Sequence, residues 1–136
     1  MKGIRLDHIG IAVNDLQQGA KFWELLGLIP SKDIEVNEEQ GVNILFLSTS
    51  QGPAPNIELL EPTSENTPIG QFINKRGPGI QQLAFEVDDM LQMISHLESN
   101  GVDMIDKTPK IGAGGNKIAF VHPHSTGGVL VELVEK

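Results

Sequence analysis

Leu6-Asp7-His8-Ile9-Gly10-Ile11-Ala12-Val13-Asn14-Asp15 and Ile80-Gln81-Gln82-Leu83-Ala84-Phe85-Glu86-Val87-Asp88-Asp89 are two versions of one pattern, and their alignment decides the fold. The same shift carries Gly27 onto Gly101 and Phe46 onto Phe120. It also carries Glu58, within Ile57-Glu58-Leu59, onto Glu132, within Val131-Glu132-Leu133. A register kept along the whole chain without a net insertion points to a duplicated structural unit. A pseudo-twofold relation between the copies would bring the matched polar residues His8, Glu58, Gln82 and Glu132 together.

Residues 6–13 alternate with a period of two, which is the signature of a strand. Ile9, Ile11 and Val13 form an apolar face suited to packing on a helix. His8, Gly10 and Ala12 form a small, polar face with room for a ligand. Leu83, Phe85 and Val87 oppose Gln82, Ala84 and Glu86 in the same way. A helix follows each strand. Asn14 or Asp15 caps the first, and Leu16, Ala20 and Trp23 make its buried stripe before Gly27 ends it. Asp88 or Asp89 caps the second, with Met90, Ile94 and Leu97 as the stripe and Gly101 as the stop. Strand-like stretches at 29–36, 42–49 and 55–61 complete the first half, and 102–107, 116–122 and 128–134 complete the second. The expectation is therefore α+β, with two tandem βαβββ modules at about 4–61 and 79–135. The linker 62–78 holds a short helix over 68–76, started at Thr67-Pro68 and stopped at Gly77-Pro78.

A chain of 136 residues is large enough for one domain built from two small halves. A net charge of −8 argues against nucleic acid or an anionic membrane as partner. No apolar run approaches a bilayer span, and the opening residues enter a strand pattern without a signal-peptide core. A cytoplasmic protein is expected. The chain has no cysteine, which excludes disulfides, thiolate metal sites and thiol nucleophiles.

A carboxylate within Val129-Leu130-Val131-Glu132-Leu133-Val134 is costly to bury without a partner. Two such carboxylates at matched positions, beside His8 and Gln82, fit a divalent-cation site. The oxygen-rich set suits cobalt, manganese, nickel or magnesium, and zinc is compatible. The alternative for the same residues is a solvated strand face. The loop Gly112-Ala113-Gly114-Gly115 reads either as a lid or anion nest or as an ordinary turn. Lys110 and Lys117 flank it, and they read either as contacts for substrate phosphates or as a solvated edge. His122-Pro123-His124 reads as a turn after a strand, His96 as a surface residue and Trp23 as helix core.

With these segments, the chain resembles the vicinal oxygen chelate superfamily of glyoxalases, bleomycin-binding proteins and dioxygenases, and within it the methylmalonyl-CoA epimerases. Besides the two opening strands, the resemblance is carried by Glu39-Gln40-Gly41-Val42, Ile57-Glu58-Leu59-Leu60-Glu61-Pro62, Lys110-Ile111-Gly112-Ala113-Gly114-Gly115-Asn116-Lys117, Phe120-Val121-His122-Pro123 and Gly128-Val129-Leu130-Val131-Glu132-Leu133. It implies a glyoxalase-like fold, a curved sheet around a central metal and ligand cleft, and a homodimer. It also implies one divalent metal per subunit, held by His8, Glu58, Gln82 and Glu132, and an acyl-CoA or related thioester as substrate. The implied reaction is epimerisation at the α carbon through a metal-stabilised enolate, for which Glu132 is the candidate for one of the proton-transfer groups; Lys110, Gly114, Gly115 and Lys117 are the candidate substrate contacts.

Two departures set this chain apart from the epimerase pattern. Gln81-Gln82 stands where the family usually has two histidines. Gly41-Val42-Asn43-Ile44-Leu45 has no carboxylate on the strand where some epimerases place a second acid. The donor set of one His, one Gln and two Glu matches glyoxalases with the halves exchanged, so a lactoylglutathione lyase type of isomerase is the alternative. A small-molecule-sequestering protein of the same fold is the non-enzymatic alternative.

Overall fold

The computed structural model describes residues 3–49 and 55–136. Two compact units make up the chain: His8–Gln81, and Met1–Asp7 together with Gln82–Lys136. The architecture is α+β. Strand β1 (Arg5–Ala12), which enters the His8–Gln81 unit at His8, is followed by helix α1 (Leu16–Leu26) and then by β2 (Ile29–Pro30), β3 (Glu35–Asn37), β4 (Val42–Ser48) and β5 (Asn56–Pro62). Helix α2 (Pro68–Arg76) follows. In the other unit, β6 (Gly79–Glu86) leads to α3 (Met90–Ser99), β7 (Lys110–Ile111), β8 (Lys117–Val121) and β9 (Val131–Glu135).

Pairing within the two units is the same. β1 runs parallel to β5, with Gly10 beside Glu58, and β6 runs parallel to β9, with Ala84 beside Glu132. β5 is antiparallel to β4, with Glu58 opposite Phe46, and β9 is antiparallel to β8, with Glu132 opposite Phe120. The offset between matched residues is 74, as from His8 to Gln82. Even single backbone bonds repeat at that offset. Val13 N–H reaches the Leu60 carbonyl and Val87 N–H the Val134 carbonyl. Ser31 N–H reaches Phe46, and Ile105 N–H reaches Phe120.

Helix termini follow the sequence signals. The Asp15 carboxylate accepts from Gln17 N–H, and Asp89 accepts from Gln92 N–H. Gly27 ends α1 with φ 118°, and Gly101 turns the chain after α3 with φ 86°, a left-handed conformation that favours glycine. Thr67 caps α2 by accepting from Gly70 N–H, and Pro68 occupies the first turn, where its missing N–H costs nothing.

Each sheet face has its own packing. On one face of the His8–Gln81 unit, Ile11, Val13, Leu45, Leu47 and Leu59 pack with Leu16 and Ala20 of α1, and Trp23 closes the cluster from the side. In the other unit, Val87, Ala119, Val121 and Leu133 pack with Met90 and Ile94 of α3. The opposite face of that unit holds a smaller cluster of Ala84, Ile118 and Val134, with Phe120 against it.

Three strand expectations change. The 29–36 stretch is broken, because Ser31 bonds its hydroxyl to the Asp33 carbonyl and makes a turn between β2 and β3. The 102–107 stretch is not a strand. Met104 makes one isolated bridge to Val121, after which Ile105 and Asp106 both donate to the Phe120 carbonyl. Thr108-Pro109 then prevents a continued ladder, since proline has no N–H to donate. Finally, β9 begins at Val131 rather than at 128, because Gly127 and Gly128 still turn the chain at φ 81° and 109°.

Candidate functional site

His8, Glu58, Gln82 and Glu132 are all buried, with 3%, 6%, 6% and 5% of their surface exposed. These values remove the solvated-face reading. Strand alternation puts His8 on the face of β1 opposite Ile9 and Ile11, which lie against α1. Glu58 faces the same side, since it is the register neighbour of Gly10. His8 Nδ1 lies 3.2 Å from Glu58 Oε2. A neutral ring donating from Nδ1 has its lone pair on Nε2, one of the two tautomers that can ligate a metal.

The Gln82–Lys136 segment builds the matching pair. Gln82 Nε2 donates to Glu132 Oε1 at 2.9 Å. The amide thereby turns its N–H toward the carboxylate, and its carbonyl oxygen is the atom suited to a cation. Both carboxylates have the same flanks. A residue with a minimal side chain stands on one neighbouring strand, Gly10 for Glu58 and Ala84 for Glu132. A phenylalanine stands on the other, Phe46 and Phe120 respectively. The small neighbour adds no side-chain bulk on one side of each carboxylate, and an aromatic ring stands across from it on the other. Each pair offers one carboxylate and one neutral donor, nitrogen in the first and amide oxygen in the second. Such borderline-to-hard donors fit a first-row divalent ion or magnesium.

Asp7 is the chain neighbour of His8. Asp7 is also buried, and its Oδ1 lies 2.6 Å from Lys136 Nζ. That ion pair ties the start of β1 to the end of the chain.

The residues expected to touch substrate separate. Lys110 pairs in register with Ile118, and Ile118 with Val134 on β9. Cross-strand partners share a face, so Lys110 lies on the side of Phe120 and Glu132. Lys117 pairs with Glu135 and lies on the opposite side, exposed. Gly114 and Gly115 lie in a short turn over Ala113–Gly115, with left-handed φ of 70° and 76°. Bonds from Gly112 N–H to the Asn116 carbonyl and from Asn116 Nδ2 to the Ala113 carbonyl close this turn. His122-Pro123-His124 is a turn, as expected, with His124 Nε2 2.6 Å from Asp103 Oδ2, and His96 is exposed.

A second matched pair of carboxylates was not singled out in the sequence. Glu61 Oε2 accepts from Leu16 N–H and its Oε1 from Asn43 Nδ2, while Glu135 Oε1 accepts from Met90 N–H. Each binds the first turn of a helix to a strand of its unit, where the helix dipole favours a negative charge. The repeat register contained the signal, because Glu61 and Glu135 are separated by the same offset as Glu58 and Glu132. Asp106 was missed as well. Its Oδ2 accepts from Phe120 N–H at 2.9 Å, an interaction between a loop and a strand with no local sequence mark.

Residues 7–120 match the family model of the Glyoxalase/Bleomycin resistance protein/Dioxygenase superfamily. The chain belongs to that superfamily. It is 37% identical over 134 residues to the mitochondrial methylmalonyl-CoA epimerase of Dictyostelium discoideum, covering 97% of this chain and 78% of the relative. It superposes on the methylmalonyl-CoA epimerase of Mycobacterium tuberculosis with a TM-score of 0.88 at 43% identity, over 96% of this chain and 86% of the other. A variant of the Streptomyces coelicolor methylmalonyl-CoA epimerase, solved in complex with 2-nitronate-propionyl-CoA, matches with a TM-score of 0.88 at 38% identity. That match covers 97% of this chain and 94% of the other. The α+β fold expected from the repeat, and its glyoxalase type implied by the resemblance, are thus the fold of this chain. No helix among the described residues is long and apolar enough to cross a membrane.

Proposed function

We propose that the protein is a divalent-metal-dependent epimerase acting at the α carbon of a small acyl-CoA, most like methylmalonyl-CoA epimerase. The observation that carries this reading is the buried Glu132, flanked by Ala84 and Phe120 and held by the Gln82 amide. Similarity to epimerases over nearly the whole chain supports it.

In this proposal His8, Glu58, Gln82 and Glu132 hold one cation per subunit, with cobalt, manganese, nickel or magnesium favoured. When bound, the cation would stabilise the negative charge that develops on the thioester carbonyl oxygen as the α proton leaves. Glu132 moves the proton. Its Oε1 is engaged by Gln82, so the amide orients the carboxylate for that task. A carboxylate held at fixed geometry needs no reorganisation during transfer. Lys110, Gly114 and Gly115 contact substrate, and Lys117, on the opposite side of β8, faces away from it. The protein acts as a homodimer in the cytoplasm. Apolar Phe22, Leu25 and Leu26, exposed on α1, support self-association. Light scattering at twice the 14.7 kDa chain mass checks it.

One observation favours a second reading. Opposite Glu58 and Leu60, β4 offers Phe46 and Ile44, with Val42 completing that face, and none of the three ionises. Glu132 is then the one proton-transfer group assigned, as suits a glyoxalase-type 1,2-shift in which a single base works on one side. Protein stripped of metal and reloaded with cobalt decides between the readings. Epimerisation of methylmalonyl-CoA is expected. Turnover confined to the hemithioacetal of methylglyoxal and glutathione would replace the epimerase reading with the lyase reading.

A further inference from the structure

We propose that Lys110 is a specificity-determining residue that binds an anionic oxygen group of the substrate, carboxylate or phosphate, on the Glu132 face. The proposal rests on the acyl-thioester reading above and assigns it a residue.

Register supplies the placement independently of side-chain conformation. Lys110 pairs with Ile118, and two residues along the same strand Phe120 pairs with Glu132. Two contacts place the ammonium on that side. Lys110 Nζ lies 3.3 Å from Asp106 Oδ1 and 5.2 Å from the centre of the Phe120 ring, so the aromatic face of Glu132's cross-strand neighbour carries a cation. Asp106 is itself anchored, since its other carboxylate oxygen accepts the Phe120 N–H. The lysine side chain is 36% exposed and its partner 17%. The ammonium is the more exposed partner of the pair, so an incoming anion can reach it while it stays beside Asp106. The chain as a whole repels anions, with a net charge of −8 from 18 acidic and 10 basic residues. A fixed cation beside Glu132 supplies the local attraction that such a substrate needs, and a charge-assisted bond to it is directional.

Two groups of an acyl-CoA carry this chemistry: a second carboxylate on the acyl group, beside the thioester, and the coenzyme phosphates, at the far end of the pantetheine arm. Titration of the full-length protein with malonate and with pyrophosphate, read at the ε-methylene NMR signal of Lys110 and assigned with Lys110→Arg, tests the proposal without any turnover. A saturable shift with malonate assigns the acyl carboxylate, and one with pyrophosphate assigns the coenzyme phosphates. No shift with either anion at millimolar concentration overturns the proposal.

Binding then separates an anion contact from a merely structural role. Lys110→Ala should weaken a malonyl-pantetheine thioester or coenzyme A about tenfold, while propionyl-pantetheine, which has neither anion, changes less than twofold. Equal weakening of all three would assign Lys110 to folding and overturn the proposal. Failure of the acyl-thioester reading looks different: the wild-type protein would bind none of the three, while the anion shifts at Lys110 persist.

Discussion

Replacing Gln82 by Met keeps side-chain length and volume but removes both amide functions, so its consequences are specific. The lost bond is the 2.9 Å contact from Gln82 Nε2 to Glu132 Oε1, between side chains of which 6% and 5% remain exposed. Water cannot readily replace a donor at that depth. A hydrogen bond to a charged group contributes about 1.5–3 kcal/mol, and its loss at a buried carboxylate falls within that range. With an unfolding entropy of about 2.1 cal/mol/K per residue, a chain of 136 residues loses about 7 °C of Tm for each 2 kcal/mol. Calorimetry on metal-free protein should therefore place Gln82→Met about 5–10 °C below wild type. The variant also lacks the carbonyl oxygen, so titration calorimetry should show cobalt affinity reduced at least about tenfold. A Tm within 2 °C of wild type would refute the claim that the amide stabilises Glu132. Unchanged cobalt affinity would remove Gln82 from the ligand set.

Other substitutions examine the remaining parts of the account. Glu132→Gln keeps the shape of the side chain and should abolish turnover while leaving the circular-dichroism spectrum unchanged; undiminished activity would take Glu132 out of the reaction. Gln82→His exchanges an amide oxygen for an imidazole nitrogen, a stronger donor to cobalt and nickel, so calorimetric affinity for those ions should rise. Glu61→Ala removes the acceptor for Leu16 N–H and for the Asn43 amide, and should cost about 1–2 kcal/mol, read as a Tm lowered by about 3–7 °C. A Tm unchanged by Glu61→Ala would make that contact incidental.

The fold was legible because duplication doubled every signal. His8 alone is a polar residue on a strand, and Glu132 alone is a charge in an apolar run. Matched with Gln82 and Glu58 they become a pattern, and all four are buried. The helices were legible through their caps, Asp15, Thr67 and Asp89, and through Gly27 and Gly101, all of which act within a few residues of the chain. What escaped depends on contacts between distant segments. The loss of strand structure over 102–107 follows from Phe120, whose carbonyl takes both Ile105 and Asp106. The difference between Lys110 and Lys117 follows from the register of β7 on β8, which no local composition encodes. Flanking a glycine-rich loop, the two lysines look equivalent in sequence, yet strand alternation sends them to opposite faces.

The measurement that tests the central claim most directly is proton–deuterium exchange on methylmalonyl-CoA in heavy water, followed by NMR with cobalt- or manganese-loaded protein. The account predicts metal-dependent exchange at the α carbon accompanied by epimerisation, with both lost in Glu132→Gln. Absence of exchange in protein shown to hold its metal would contradict it.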